Sequence, residues 1–199
     1  VLLAGEDSLF SGAAIVQMVP TAGGSFLARH MGNPVAATLV APPLDLRINP
    51  VRTTRAAVLR QLNNLGIRAE ATTLSPLGVR LRERLSLSRL PGLKSGEIEI
   101  QDEGSQLVAL LVDARPGEQV VDFCAGAGGK TLALAAQMMN RGHLVACDVS
   151  EARLKRCADR LRRAGLQNAE TRLLASETDR WIKRHKGRFD RVLVDAPCS

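Results

Sequence analysis

The residues most able to do chemistry lie in two short stretches. The first is DFCAGAGGKT, residues 122–131, which falls between an apolar run and a helical run. Glycines at that spacing let a ligand approach the backbone closely. A triphosphate-binding loop of the G-x-x-x-x-G-K-[ST] type needs a glycine at position 124, where this chain has Cys124. A dinucleotide fingerprint, G-x-G-x-x-G, is met by Gly126 and Gly128 but has Thr131 at the third glycine. What remains is Asp122 at a strand end, a tight turn, a helix, and a second acid, Asp148, closing the next strand. Asp148 lies 20 residues beyond Gly128, the distance of a ribose-binding acid. A ligand with a ribose, an amino-acid part and no phosphate fits this pattern, and S-adenosylmethionine is that ligand. The plainer alternative for Asp148 is a carboxylate that caps the helix after Ser150.

The second stretch is RVLVDAPCS, residues 191–199. A hydrophobic strand ends there in Asp195, Ala196, Pro197 and Cys198, at the carboxyl edge where open α/β sheets bind ligands. Methyl transfer to an amino nitrogen would call for an aromatic residue where Cys198 stands. A thiol suits a different target, carbon 5 of a pyrimidine, which becomes nucleophilic only after a thiolate adds to carbon 6. Taken alone, Cys198 is also compatible with a small buried residue.

The elements that must position these residues follow from periodicity. Leu44–Asn49 alternates as a half-buried strand. Thr53 or Thr54 can cap a helix with Val58, Leu62 and Leu65 on its apolar face, stopped by Gly66. IRAEATTL and GVRLRE read as two further strands, which completes a β-α-β-β module. Glu97–Ile100 and a helix to Val112 come next. Strands at Gln119–Phe123, Leu144–Cys147, Glu170–Leu174 and Arg191–Val194 then alternate with helices at Thr131–Met139, Glu151–Ala164 and Asp179–Lys186. That alternation predicts a parallel, doubly wound sheet. The expected division is a poorly defined segment over 1–43, a small α+β module over 44–95, and an α/β domain over 96–199.

Composition narrows the partners. The net charge of +7 is uneven, reaching +5 over residues 51–100 and +6 over 151–199, with −3 between them. Two arginine-rich blocks therefore flank the acidic glycine-loop segment, a distribution suited to phosphate contacts with RNA. Aromatic residues make up 3% of the chain, with no Tyr, which argues against a base-stacking platform. Cys124, Cys147, Cys157 and Cys198 form no metal-ligand spacing, so no metal is expected. Unpaired cysteines point to a reducing, cytoplasmic setting. No apolar run reaches the roughly 20 residues of a membrane span.

IQDEGSQLVALLVDARPGEQVVDFCAGAGGKT, ACDVSEARL and FDRVLVDAPCS together resemble the RsmB/Nop/Sun RNA (cytosine-5) methyltransferases, over about residues 44–199. The resemblance implies a Rossmann-like fold of seven strands, four of them in this chain, after a small RNA-binding module. It implies S-adenosylmethionine held by Cys124, Ala125, Gly126, Ala127, Gly128, Gly129 and Lys130, with Asp148 on the ribose and Asp195 near the methyl group. It sets the Pro197 carbonyl against the cytosine amino group. It makes Cys198 an assisting cysteine in product release, the nucleophile belonging to a Thr-Cys-Ser motif absent from these 199 residues. The acid usual after the third strand is replaced by Ala175 and Ser176, leaving Glu177 as a substitute adenine contact. A monomeric piece of a longer enzyme is expected, inactive alone, its strand before Asp195 an unprotected edge. The competing readings are an amino-nitrogen RNA methyltransferase, a P-loop-type nucleotide-binding protein and a non-catalytic RNA-binding protein.

Overall fold

In the computed structural model the described residues are 14–18, 44–83, 85–176 and 178–196. They form two sheets, each with its own core.

The first sheet is antiparallel. β2 (Leu44–Ile48) is followed by helix α1 (Arg55–Asn64), then β3 (Ala69–Ala71) and β4 (Gly78–Leu81). Thr54 caps α1 by accepting a hydrogen bond from the Ala57 amide, and Gly66 follows it at φ +70°. Val58 and Leu62 pack on Leu46, Ile48, Val79 and Leu81. Leu65, expected on that apolar face, is 55% exposed because it lies in the turn past the last helical residue. β5 (Ile98–Ile100) completes the order β3-β4-β2-β5 by pairing antiparallel with β2. Grouping this strand with the following α/β domain thus misses its ladder partner, and the small sheet reaches past residue 95.

The second sheet is parallel, in the order β1-β9-β6-β7-β8. Its strands are β1 (Ala14–Met18), β6 (Gln119–Asp122), β7 (His143–Asp148), β8 (Ala169–Leu173) and β9 (Arg191–Asp195). Helices α2 (Glu103–Val112), α3 (Gly129–Gln137) and α4 (Glu151–Ala164) lie on one face, over Val120, Leu144, Ala146 and Leu193. The short α5 (Arg180–Arg184) lies on the other, where Ile182 meets Val121, Val145 and Val192. The central strands are apolar on both faces because helices cover both.

Two expectations need correction here. Residues 14–18 fall in the segment expected to be poorly defined, yet they form a strand that pairs in register with Arg191–Asp195. The edge of β9 is therefore covered rather than bare. Five residues, AIVQM, give too little periodicity to identify a strand, and its partner is far away in sequence.

Polar contacts join the two domains. Asn49 Nδ2 donates to the Ala164 carbonyl oxygen across the junction and to that of Gly96 within the small domain, each at 2.9 Å. Arg52 Nε donates to Ala164 O at 2.7 Å. On β5, Glu99 accepts from Arg160 Nη2 at 2.9 Å and from Arg163.

Candidate functional site

Three neighbouring strands, β9, β6 and β7, each end in an acid: Asp195, Asp122 and Asp148. Parallel pairing brings all three to one edge. The glycine loop leaves β6 and runs along that edge. Phe123 N donates to Leu193 O at 2.8 Å and Ala125 N to Cys147 O at 2.9 Å, so the loop is tied to both neighbouring strands. It then turns, with Gly128 N donating to Ala125 O at 2.9 Å.

Two glycines shape the turn for different reasons. Gly126 has φ +56° and nothing within 4 Å of where a Cβ would stand, so the space beside it is open to a ligand. Gly128 has φ +85°, and a Cβ there would come within 2.5 Å of Cys157 Sγ. Gly128 thus permits α4 to pack against the loop, while Gly126 leaves its outer side clear.

The acids are satisfied differently. Asp122 is buried and accepts from Thr131 Oγ1 at 2.7 Å. Burial pushes its carboxyl up to about 6; the Thr131 hydrogen bond and Lys130 oppose this, and Asp195 and Asp148 add to it. Asp148 accepts Gly126 N on one oxygen at 2.9 Å and Ser150 N on the other at 2.8 Å. Ser150, at the start of α4, makes no side-chain capping bond. Each Asp148 oxygen keeps a further lone pair for a ligand hydroxyl. Lys130 Nζ lies 2.5 Å from Asp195 Oδ2. The one cation in the loop is therefore already neutralised, and the loop sits among three carboxyl groups. That is a poor setting for phosphate and a tolerable one for a neutral ribose or a cationic sulfonium.

None of the described cysteines is activated. Burial, then the charges of Asp122, Asp148 and Asp195, raise the Cys124 thiol. Burial pushes Cys147 up to about 12 and Cys157 up to about 11. A nucleophilic thiolate needs the opposite environment.

The edge thus brings together Cys124, Ala125, Gly126, Ala127, Gly128, Gly129, Lys130, Asp148 and Asp195. Pro197, Cys198 and Glu177 lie outside the described residues. Sequence reasoning passed over Thr131, whose hydroxyl anchors Asp122, and two apolar residues at the same edge. Val149, directly after Asp148, is 64% exposed, and Leu173, the partner of Asp148 across the ladder, is also exposed. An apolar residue following a strand-end acid was the available signal. Among the described residues no group of His, Cys, Asp or Glu is arranged to hold a metal ion, and no helix is long and apolar enough to cross a membrane.

Comparison with known proteins places this geometry. A family model described as 16S rRNA methyltransferase RsmB/F matches residues 109–199. Another, a ferredoxin-like domain of RsmF/B-like methyltransferases, matches residues 29–88. Ribosomal RNA small subunit methyltransferase B of Pseudomonas syringae pv. tomato is 38% identical over 164 residues, 82% of this chain and 36% of that protein. The chain belongs to the RsmB/F methyltransferase family. The corresponding protein of Serratia proteamaculans is 37% identical over 79% of this chain and 36% of its own length. The chain thus spans little more than a third of these curated relatives. A methyltransferase homologue from Pyrococcus horikoshii superposes with a TM-score of 0.71 at 31% identity, covering 82% of this chain and 53% of that one. NSun6 from the same organism, solved with SFG, gives a TM-score of 0.69 at 16% identity over 78% of this chain and 63% of that one, a likeness of fold alone. The parallel sheet with its helices is a Rossmann-like methyltransferase fold, and a ferredoxin-like domain precedes it.

Proposed function

We propose that this chain supplies the cofactor-binding edge and an RNA-facing domain of an enzyme that methylates carbon 5 of a cytosine in RNA. S-adenosylmethionine is the proposed donor and ribosomal RNA the proposed substrate. The carrying observation is Asp148, at the end of β7, holding the Gly126 amide on one oxygen and the Ser150 amide on the other, so that each oxygen can accept one further hydrogen bond.

Bound S-adenosylmethionine would supply an electrophilic methyl group on a positively charged sulfur. Asp148 would accept the ribose hydroxyls, and Gly126 would let the ligand lie against the backbone. Exposed Val149 and Leu173 offer an apolar bed beside Asp148 for the adenine ring. Cys124 to Lys130 would line the methionine and ribose side. Asp195, oriented by Lys130, would stand near the methyl end, with the Pro197 carbonyl against the cytosine amino group. The resemblance makes Cys198 the cysteine that helps break the covalent adduct, after a thiolate from a Thr-Cys-Ser motif has added to carbon 6. The raised thiols of Cys124, Cys147 and Cys157 support drawing that nucleophile from elsewhere. The unpaired cysteines and the reaction together favour a cytoplasmic protein.

The test uses the full-length protein. Calorimetry is expected to show binding of S-adenosylmethionine and none of ATP, and digestion of methylated RNA should yield 5-methylcytidine. An amino-methylated nucleoside would move the chemistry to nitrogen. ATP binding without S-adenosylmethionine binding would reject the reading.

A further inference from the structure

We propose that Arg160 is a positioning residue through which the small domain fixes the shape of the glycine loop. Its functional meaning rests on the cofactor reading above. The geometry itself does not.

Ala127 stands between Gly126 at φ +56° and Gly128 at φ +85°. Glycine adopts either sign of φ at little cost, so the peptides here can reorient readily unless something holds them. Three hydrogen bonds do so, one of them within the turn, where Gly128 N donates to Ala125 O at 2.9 Å. Asp148 accepts the Gly126 amide from the sheet. Arg160 Nη1, reaching from α4, donates to the Ala127 carbonyl at 2.7 Å. The other arm of the same guanidinium donates to Glu99 on β5.

Glu99 is a firm anchor. Its side chain is 4% exposed, Arg163 engages its second oxygen, and it pairs with Arg47 in the β2–β5 ladder. Arg47 is itself buried at 3% exposure and donates from Nε to Gln101 Oε1 at 2.6 Å. A planar guanidinium can bridge a carbonyl on one side and a carboxylate on the other in one fixed geometry, which a lysine ammonium cannot reproduce. Arg163, one turn along α4, binds the same carboxylate, while its hydrogen bond goes to Glu99 and not to the loop. The two arginines therefore share the domain junction and differ in contact with the loop.

That difference is the test, made on the full-length protein with Arg160→Gln, Arg160→Lys and Arg163→Gln. Without ligand, Arg160→Gln is expected to speed hydrogen exchange of the amides of residues 124–130 by about tenfold, the loss of one charged hydrogen bond. S-adenosylmethionine affinity should fall by a similar factor, and Arg160→Lys should restore neither. Arg163→Gln should lower the thermal midpoint comparably while leaving loop exchange and affinity within about twofold. Unchanged loop exchange in Arg160→Gln, or equal loosening in Arg163→Gln, overturns the proposal. If the unmodified protein binds no S-adenosylmethionine, the cofactor reading fails, while loop exchange still decides the role of Arg160.

Discussion

The acids of the small domain and two of the three at the carboxyl edge of the parallel sheet, Asp122 and Asp148, are satisfied by different chemistry; the third, Asp195, is ion-paired with Lys130. In the small domain and at its junction, arginines take the carboxylates. Arg80 binds Asp45 through two nitrogens at 2.7 Å, Arg82 pairs with Glu70, and Arg160 and Arg163 share Glu99. At the parallel edge, Asp122 has a threonine hydroxyl and Asp148 two backbone amides, and among the described residues no ion pair reaches either one. Charge-assisted pairs consume an acid's hydrogen-bonding capacity. Neutral donors leave charge and lone pairs for a ligand. The contrast separates acids that hold the fold from Asp148, which keeps hydrogen-bonding capacity for a partner, with buried Asp122 behind it.

The contrast breaks most severely at Glu99. Glu99→Ala would leave Arg47 buried without its counter-charge, and the expected loss of stability is about 3–5 kcal/mol, read by denaturant unfolding. A loss below about 1 kcal/mol would mean that the junction acid is no more structural than a surface one.

Asp122 sharpens it through pH. Its carboxyl is raised in the folded state to about 6 from an ordinary 3.8, so the folded protein holds this proton longer than the unfolded chain. Stability should therefore fall as pH rises from about 4 to about 6, by at most about 3 kcal/mol. Asp122→Asn, which keeps an acceptor for Thr131, should flatten that slope. An unchanged slope in the variant would place the proton elsewhere.

Asp148→Asn tests the ligand side. Replacing one acceptor oxygen by a donor should weaken S-adenosylmethionine binding by about tenfold to a hundredfold, measured by calorimetry. Full affinity in this variant would return Asp148 to the role of a helix-end carboxylate. The smallest effect belongs to Arg82→Ala, where both partners are largely exposed; a change within about 0.5 kcal/mol is expected. A larger value would mean that surface pairs also stabilise this sheet.

Much of the parallel sheet was legible in the sequence because its strands and helices alternate and stop at strong local signals. Helix α4 runs from Glu151 to the glycine stop at Gly165, as its period required, and β7 ends at the acid picked out by its spacing from Gly128. What periodicity could not report is the partner. It shows that a face is buried and leaves open against what. Ile98–Ile100 therefore looked like the start of a new domain although its ladder is with β2, and Ala14–Met18 had no visible place beside β9. At the site, the glycines and Asp148 were legible because their spacing is local. Arg160 was not, since its partners Ala127 and Glu99 lie 33 and 61 residues away. Nothing in an arginine on an amphipathic helix distinguishes a solvated charge from a bridging one.

The end of α4 has a consequence for how such proteins can be cut and recombined. Its Ala164 carbonyl is received by Asn49 and Arg52 of the other domain. A helix of the methyltransferase domain is thus finished by a loop that precedes it by more than a hundred residues. Grafting that domain behind a different partner would leave this carbonyl to water, and would strip two donors from a helix whose middle holds the glycine loop. A swap that respects only the linker between the two domains would carry over the fold without the seam.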